Sequence, residues 1–229
     1  MKGHTTKRIA VALAAALLPG LAAASDRWEF EVLLNDKEIG SHTFDITRTE
    51  DGQRMETEAS FDVRFLFVTA FRYRHQNTEI WRDGCLASID AVTDNNGEQL
   101  SVNGGATQES FDLAGPRGSE SLSGCVQTFA YWNPEILDAE QLLNSQTGEY
   151  EDIDVVYAGA DTVEVGGVTI DADRYTMTAK GGDIKLWYSS DDQRWLALEA
   201  PAKGGRTIRY RPLSVPAADD DAELTARVE

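Results

Sequence analysis

Residues suited to metal or redox chemistry are scarce in this chain. Its 229 residues include two cysteines, Cys85 and Cys125, and three histidines. His42 and His75, the two beyond the N-terminal segment, fall in no H-E-x-x-H or comparable zinc pattern. No G-x-S-x-G elbow and no phosphate-cradling glycine motif occurs, so no cofactor, metal or catalytic residue is indicated. Positive charge is also short: 21 Lys and Arg stand against 39 Asp and Glu, a formal net charge of −18. DNA, RNA and anionic lipid head groups all need basic surfaces, so the composition speaks against nucleic acid as a partner.

Long apolar runs are missing except at the start. Lys2, Lys7 and Arg8 precede the short run Ile9–Leu18, which Pro19-Gly20 breaks before Ala22-Ala23-Ala24. That layout is expected of a secretory signal peptide, cut after Ala24. A membrane span needs about 20 apolar residues, so an uncleaved anchor is the lesser alternative. Removing residues 1–24 takes away three positive charges and leaves 205 residues near −21, the size of one domain. In an oxidising compartment the two cysteines are expected to form a disulfide, with free thiols as the alternative.

What remains reads as β-strand almost throughout. Trp28 to Leu33 alternates apolar and charged side chains, and Ile39 to Thr47 returns after the turn Asn35-Asp36-Lys37. Asp94-Asn95-Asn96-Gly97 is a strong hairpin signal. Residues 115–124 read as a Gly/Ser-rich loop ending near Cys125. Residues 128–150 lose the alternation. There Asn133 can cap a helix begun by Pro134, and Ile136, Leu137, Leu142 and Leu143 are spaced for one or two helical turns. Six short strands fill residues 152–211, and an acidic tail over 213–229 is expected to be disordered. Many short strands joined by tight turns predict an all-β fold. Its expected form is a curved antiparallel sheet, a closed or half-open barrel spanning 25–212 with a short helical insert.

The run FDVRFLFVTAFRYRHQ, residues 61–76, is the most unusual. At a period of two, Phe61, Val63, Phe65, Phe67, Phe71 and Tyr73 share one parity, and Asp62, Arg64, Arg72 and Arg74 the other. Val68-Thr69-Ala70 is the expected bend. The arginines read as an ion-paired solvent face, and His75 as a partly exposed strand histidine. The aromatic face, continued to Trp81, is either core or the lining of a cavity. Tyr131 and Trp132, beside the helical insert, either plug the barrel or touch a guest. The candidate ligand-binding residues are therefore Phe65, Phe67, Phe71, Tyr73, Trp81, Tyr131 and Trp132.

Four stretches carry a resemblance: the opening WEFEVLLNDKEIGSHTFDI, FDVRFLFVTAFRYRHQNTEIWRDGCL, CVQTFAYWNPEIL with LLNSQTGEY, and IKLWYSSDDQRWLALEA. Together they resemble a bacterial family of exported proteins known only as a domain of unknown function. More distantly the chain resembles lipoprotein-carrier half-barrels. The resemblance implies a half-barrel fold and carries over no catalytic residue. Three functions are thus open. The leading expectation is a periplasmic protein binding an apolar small molecule or lipid. An envelope protein whose partner is another protein is the alternative, and a hydrolase comes third.

Overall fold

Alternation of apolar and polar side chains writes most of the architecture. The computed structural model describes residues 25–65 and 68–218, with backbone alone for Phe65 and Val68. Residues 1–24, where a signal peptide is expected, Phe67 and tail residues 219–229 lie outside the described residues. Fifteen strands follow in order: β1 Ser25–Leu34, β2 Lys37–Thr49, β3 Gly52–Phe65, β4 Val68–Arg82, β5 Cys85–Asn95, β6 Glu98–Ala106, β7 Phe111–Gly115 and β8 Gly118–Leu122. A small pair comes next, β9 Gln141–Leu143 and β10 Tyr150–Asp152. The chain ends with β11 Asp154–Val165, β12 Val168–Ala179, β13 Gly182–Ser189, β14 Trp195–Ala202 and β15 Arg206–Ser214.

Thirteen of these form one antiparallel sheet in the order β11-β12-β13-β14-β15-β1-β2-β3-β4-β5-β6-β7-β8. All neighbours but one are joined by simple turns. The exception is β15 beside β1, which pairs Glu31 with Arg211. Turn chemistry fixes several hairpins: Asn35 and Asp36, Asp83 and Gly84, Asn96 and Gly97, and Gly166 and Gly167 all have positive φ. Two consecutive left-handed residues match the right-handed twist of the strands they join. Register shifts between Val32 and Leu33, Val63 and Arg64, and Ile80 and Trp81 bend the sheet further. Gly40 permits a close approach, since a Cβ there would lie 1.8 Å from the Ser60 carbonyl oxygen. The edges β8 and β11 do not pair with each other, so the barrel is half-open.

Residues 123–153 run from edge β8 to edge β11 across the concave face. Their apolar side chains point into the sheet: Val126, Ala130, Ile136, Leu142 and Leu143 are all buried. The start of this strap is tied to the β4–β5 turn by the disulfide Cys85–Cys125. Beside it, Leu86 N donates to Val126 O and Gln127 Nε2 to Gly84 O. Under the strap the core is aromatic. Phe30 packs on Trp195 with ring centroids 4.4 Å apart, and Trp28 Nε1 donates to Trp195 O.

Several expectations change. The insert holds a single 3-10 turn, Pro134–Asp138, with Asn133 Oδ1 accepting from Glu135 N as its cap. Leu142 and Leu143 are not helical. They lie in β9, which pairs with β10 and bridges Thr128, and both are fully buried. Residues 118–122 are a strand rather than part of a loop, and Val68-Thr69-Ala70 opens β4 rather than bending. Leu213 and Ser214 complete β15, and Val215 packs on the core, so order continues past the expected domain end at 212. The arginine face is ion-paired: Arg74 and Arg72 both meet Asp62, at 2.8 and 3.3 Å.

The disulfide closes a loop with a sequence separation of 40. In the chain-entropy picture it stabilises the fold by at most about 4 kcal/mol. Replacing both Cys85 and Cys125 by Ser should lower Tm by several degrees under oxidising conditions and remove the sensitivity of Tm to reductant. An unchanged Tm would show that the strap is held by packing alone.

Candidate functional site

Strand β4 turns one row of side chains inward: Phe71, Tyr73, His75, Asn77, Glu79 and Trp81. Its outer row, Arg72, Arg74, Gln76 and Thr78, faces solvent. The inward row starts and ends aromatic but is polar in its middle. His75, Asn77 and Glu79 are 4%, 5% and 1% exposed. Their neighbours across the sheet are small at two places, Ala59 opposite His75 and Ala91 opposite Asn77. Glu79 lies between Met55 and Ile89, so the row is least covered from within the sheet at His75 and Asn77.

A cavity of about 550 Å³ opens over this row. Its floor includes His42, Thr57, His75, Asn77 and Glu79, and its roof is the strap from Thr128 to Trp132. The far wall is apolar, with Ile184, Leu198, Ala200 and Ile208. A second, more polar cavity of about 390 Å³ lies past Trp132, between Arg48, Asp26 and Arg194. Trp132 borders both. It packs edge-on against Trp81, with centroids 5.6 Å apart and planes at 84°.

Hydrogen bonds set the proton positions on the floor. Thr57 Oγ1 donates to Thr43 O, so it can only accept from His42 Nε2 at 2.7 Å. His42 Nδ1 is then the acceptor for Tyr210 O–H at 3.1 Å. This satisfies both ring nitrogens in the neutral form. Burial pushes His42 down to about 3, with the nearby His75 a smaller cause, and burial takes His75 down to about 4. His75 Nδ1 pairs with Thr93 Oγ1 at 2.8 Å. Arg74, its neighbour in sequence, faces the opposite side of the sheet, and its ion pair is with Asp62.

Glu79 is the most buried acid. Asn77 Nδ2 donates to its Oε1 at 2.8 Å, and Trp81 Nε1 and Thr128 Oγ1 donate to its Oε2 at 2.9 and 3.1 Å. No cation pairs with it among the described residues. Burial raises its pKa from 4.5 to about 7, and the three donors hold it from rising further. Two buried atoms here lack any partner: Asn77 Oδ1 and Trp132 Nε1. Among the described residues no cluster of three His, Cys, Asp or Glu could hold a metal ion.

The structure gathers the expected residues only in part. Tyr131 and Trp132 line the cavity roof. Trp81 supports Glu79 from beneath and lines the smaller cavity. Tyr73 stacks on Phe61 in a separate apolar cluster with Val32, Ile39 and Ala59. Phe71 lies near the tip of the β3–β4 hairpin and is 36% exposed. Phe65 is in β3 by its backbone, and Phe67 lies outside the described residues. The expectation of a partly exposed His75 does not hold, because the strap and the far wall cover that part of β4. The sequence expectations do not include His42, His75, Asn77 and Glu79 as a group. The signal was present, since the parity that links Phe71 and Tyr73 to Trp81 passes through all three polar residues of β4.

The family model for a domain of unknown function (DUF6134) matches residues 30–213, and the chain belongs to that family. No curated protein matches its sequence. Among solved structures it is similar to a β-barrel-like protein of the domain of unknown function DUF1849 from Brucella abortus. The two share 10% identity over 86% of this chain and 99% of the other, with a TM-score of 0.62. That likeness concerns the fold.

Glu79 makes stability depend on pH. When folded it keeps its proton up to about pH 7, and when unfolded it releases it near 4.5. The folded state therefore binds the extra proton between these values, and stability falls as pH rises through that window, by roughly 3 kcal/mol in all. His42 and His75 act oppositely. Their depressed pKa values give stability that is present above 6.5 and lost as pH falls. They are common to wild type and Glu79→Gln, so they cancel in the difference. The denaturant-measured stability of Glu79→Gln relative to wild type should grow as pH is raised from about 4.5 to about 8. A flat difference would show an ordinary carboxylate.

Proposed function

We propose that this half-barrel is an exported binding protein that holds an apolar or lipid-like molecule in the cavity between the strap and strands β2–β4. The observation that carries the reading is the cavity itself. Its volume of about 550 Å³ falls within the range of small-molecule sites, and its far wall is apolar. Polar groups of β2–β4, His42, Thr57, His75, Asn77 and Glu79, lie on one side of it, and Asn144, Gln146, Glu151 and Lys180 also border it; such groups can orient a guest. The aromatic core under the strap fills the rest of the concave face, so the guest is small. The hydrolase alternative gains little, because the hydrogen-bond partner of His75 is a threonine and not an acid.

Support for export comes from the charged start, apolar run and small residues of the first 24 positions, together with the pairing of both cysteines. The periplasmic protein should have a mass that starts at Ser25. Recovery of the full 229-residue chain from the membrane fraction would replace export by anchoring.

Binding is tested with Nile red, an uncharged apolar dye, and by mass spectrometry of a solvent extract of the purified protein. Saturable fluorescence enhancement is expected. Ala200→Trp, which fills the apolar wall, should weaken the dye by tenfold or more while Tm stays near wild type. If the dye does not saturate and no apolar molecule is extracted, the binding role is wrong.

A further inference from the structure

Positive charge without a partner gathers at one rim of the half-barrel. The antiparallel order puts the β1–β2, β3–β4, β12–β13 and β14–β15 turns at the same end of the sheet. Among the described residues, the lysines and arginines with no carboxylate partner are Lys37, Arg64, Arg82, Lys203 and Arg206. All are exposed, and all but Arg82 lie at this rim. They form one continuous row. Asn35 bonds Thr207 in both directions, which sets the β14–β15 turn beside the β1–β2 turn, and Lys37 Nζ donates to Arg64 O at 3.3 Å. Within these three turns Asp36 pairs with Arg209, and Glu38 is the acid left without an ion pair among the described residues. Asp94, Glu98 and Asp183 lie at the flanking turns. The opposite rim is acidic, with Glu50, Asp51, Asp83, Glu109, Asp191 and Asp192 in its turns.

An apolar projection stands beside the cations. β2 pairs with β3 no further than Phe61, and β5 with β4 no further than Tyr73, so Val63 and Phe71 pair only with each other. Phe71 is 36% exposed there, although the net charge of −18 gives the chain ample polar surface elsewhere. We propose that this rim is a docking surface for an anionic phospholipid bilayer, with Lys37, Arg64, Lys203 and Arg206 meeting lipid phosphates and Phe71 entering the interface. An acidic protein would answer the cations alone. A bilayer answers both features, since its head groups carry the negative charge and its acyl boundary takes the ring. Docking stands on the chemistry of the rim and not on the binding role. It also turns the β12–β13 turn, where Ala179, Lys180 and Gly181 border the larger cavity, towards the membrane.

Co-sedimentation with vesicles tests this, using protein that begins at Ser25 because the cationic, apolar start would itself seek anionic lipid. Vesicles of phosphatidylcholine with about 30% phosphatidylglycerol should bind the protein saturably, pure phosphatidylcholine should bind it far less, and high salt should release it. Arg206→Gln should cut the partitioning about fivefold, and adding Lys203→Gln should bring the loss to about twentyfold. Arg82→Gln, the same change of charge at the opposite rim, should leave it as it was. Phe71→Ser should lower it at least about fivefold with Tm near wild type. No binding to the anionic vesicles overturns the proposal, and retention on polyglutamate without vesicle binding replaces the bilayer by an acidic protein. Equal loss in Arg82→Gln and Arg206→Gln overturns the placement at this rim. Vesicle binding unchanged by Phe71→Ser overturns the entry of the ring. Each of these outcomes leaves saturation by Nile red, and so the binding role, to be judged separately.

Discussion

A sheet that curls without closing has to cover its own concave face, and that requirement governs the rest of this molecule. The inner face carries Phe30, Phe44, Trp195 and Leu198, far too much apolar surface to leave in water. Residues 123–153 meet the need by crossing from one edge of the sheet to the other. The strap is almost devoid of regular structure, so its backbone groups need partners elsewhere. It finds them in β9 and β10, in the Thr128 bridge, and in bonds to the β4–β5 turn. Tyr188 supplies another by donating its hydroxyl to Tyr131 O. The disulfide sits where the strap begins, which fixes the point from which it spans the sheet.

Coverage is incomplete at one place, and there the side chains turn polar. A row of His75, Asn77 and Glu79 on the inner face of a sheet costs stability unless each group is bonded. Most are: Thr93 bonds His75, and Asn77, Trp81 and Thr128 donate to Glu79. An interior devoted to packing alone would place Val or Leu at these three positions. An acid without a counter-charge and two unpaired atoms under the strap are costs that packing does not require.

Much of the fold is legible in the residues. The alternation in Trp28–Leu33 and the turns at Asn35-Asp36 and Asn96-Gly97 place strands where the structure has them. The strap is less readable. Leu142 and Leu143 are buried on both sides of a short strand, and a brief apolar run carries no period that separates strand from helix. Residues 118–122 look like a loop because an edge strand with one buried side chain, Leu122, needs little apolar character. For the site, Tyr131 and Trp132 could be picked out by composition. Phe71 could not be placed, because parity assigns a face but not how far along the strand the core reaches. The polar row was hidden by the habit of reading His, Asn and Glu as outward-facing. Only the tertiary cover supplied by the strap makes them interior.

The pairing of β15 with β1 bears on how the molecule is made. Glu31 and Arg211, joined across that seam, are 180 positions apart in the chain. During folding the first strand keeps one flank raw until the last one arrives. Nucleation cannot rely on that contact, and the slow, long-range closure expected of such topology leaves a window in which a second nascent chain can take the vacant place.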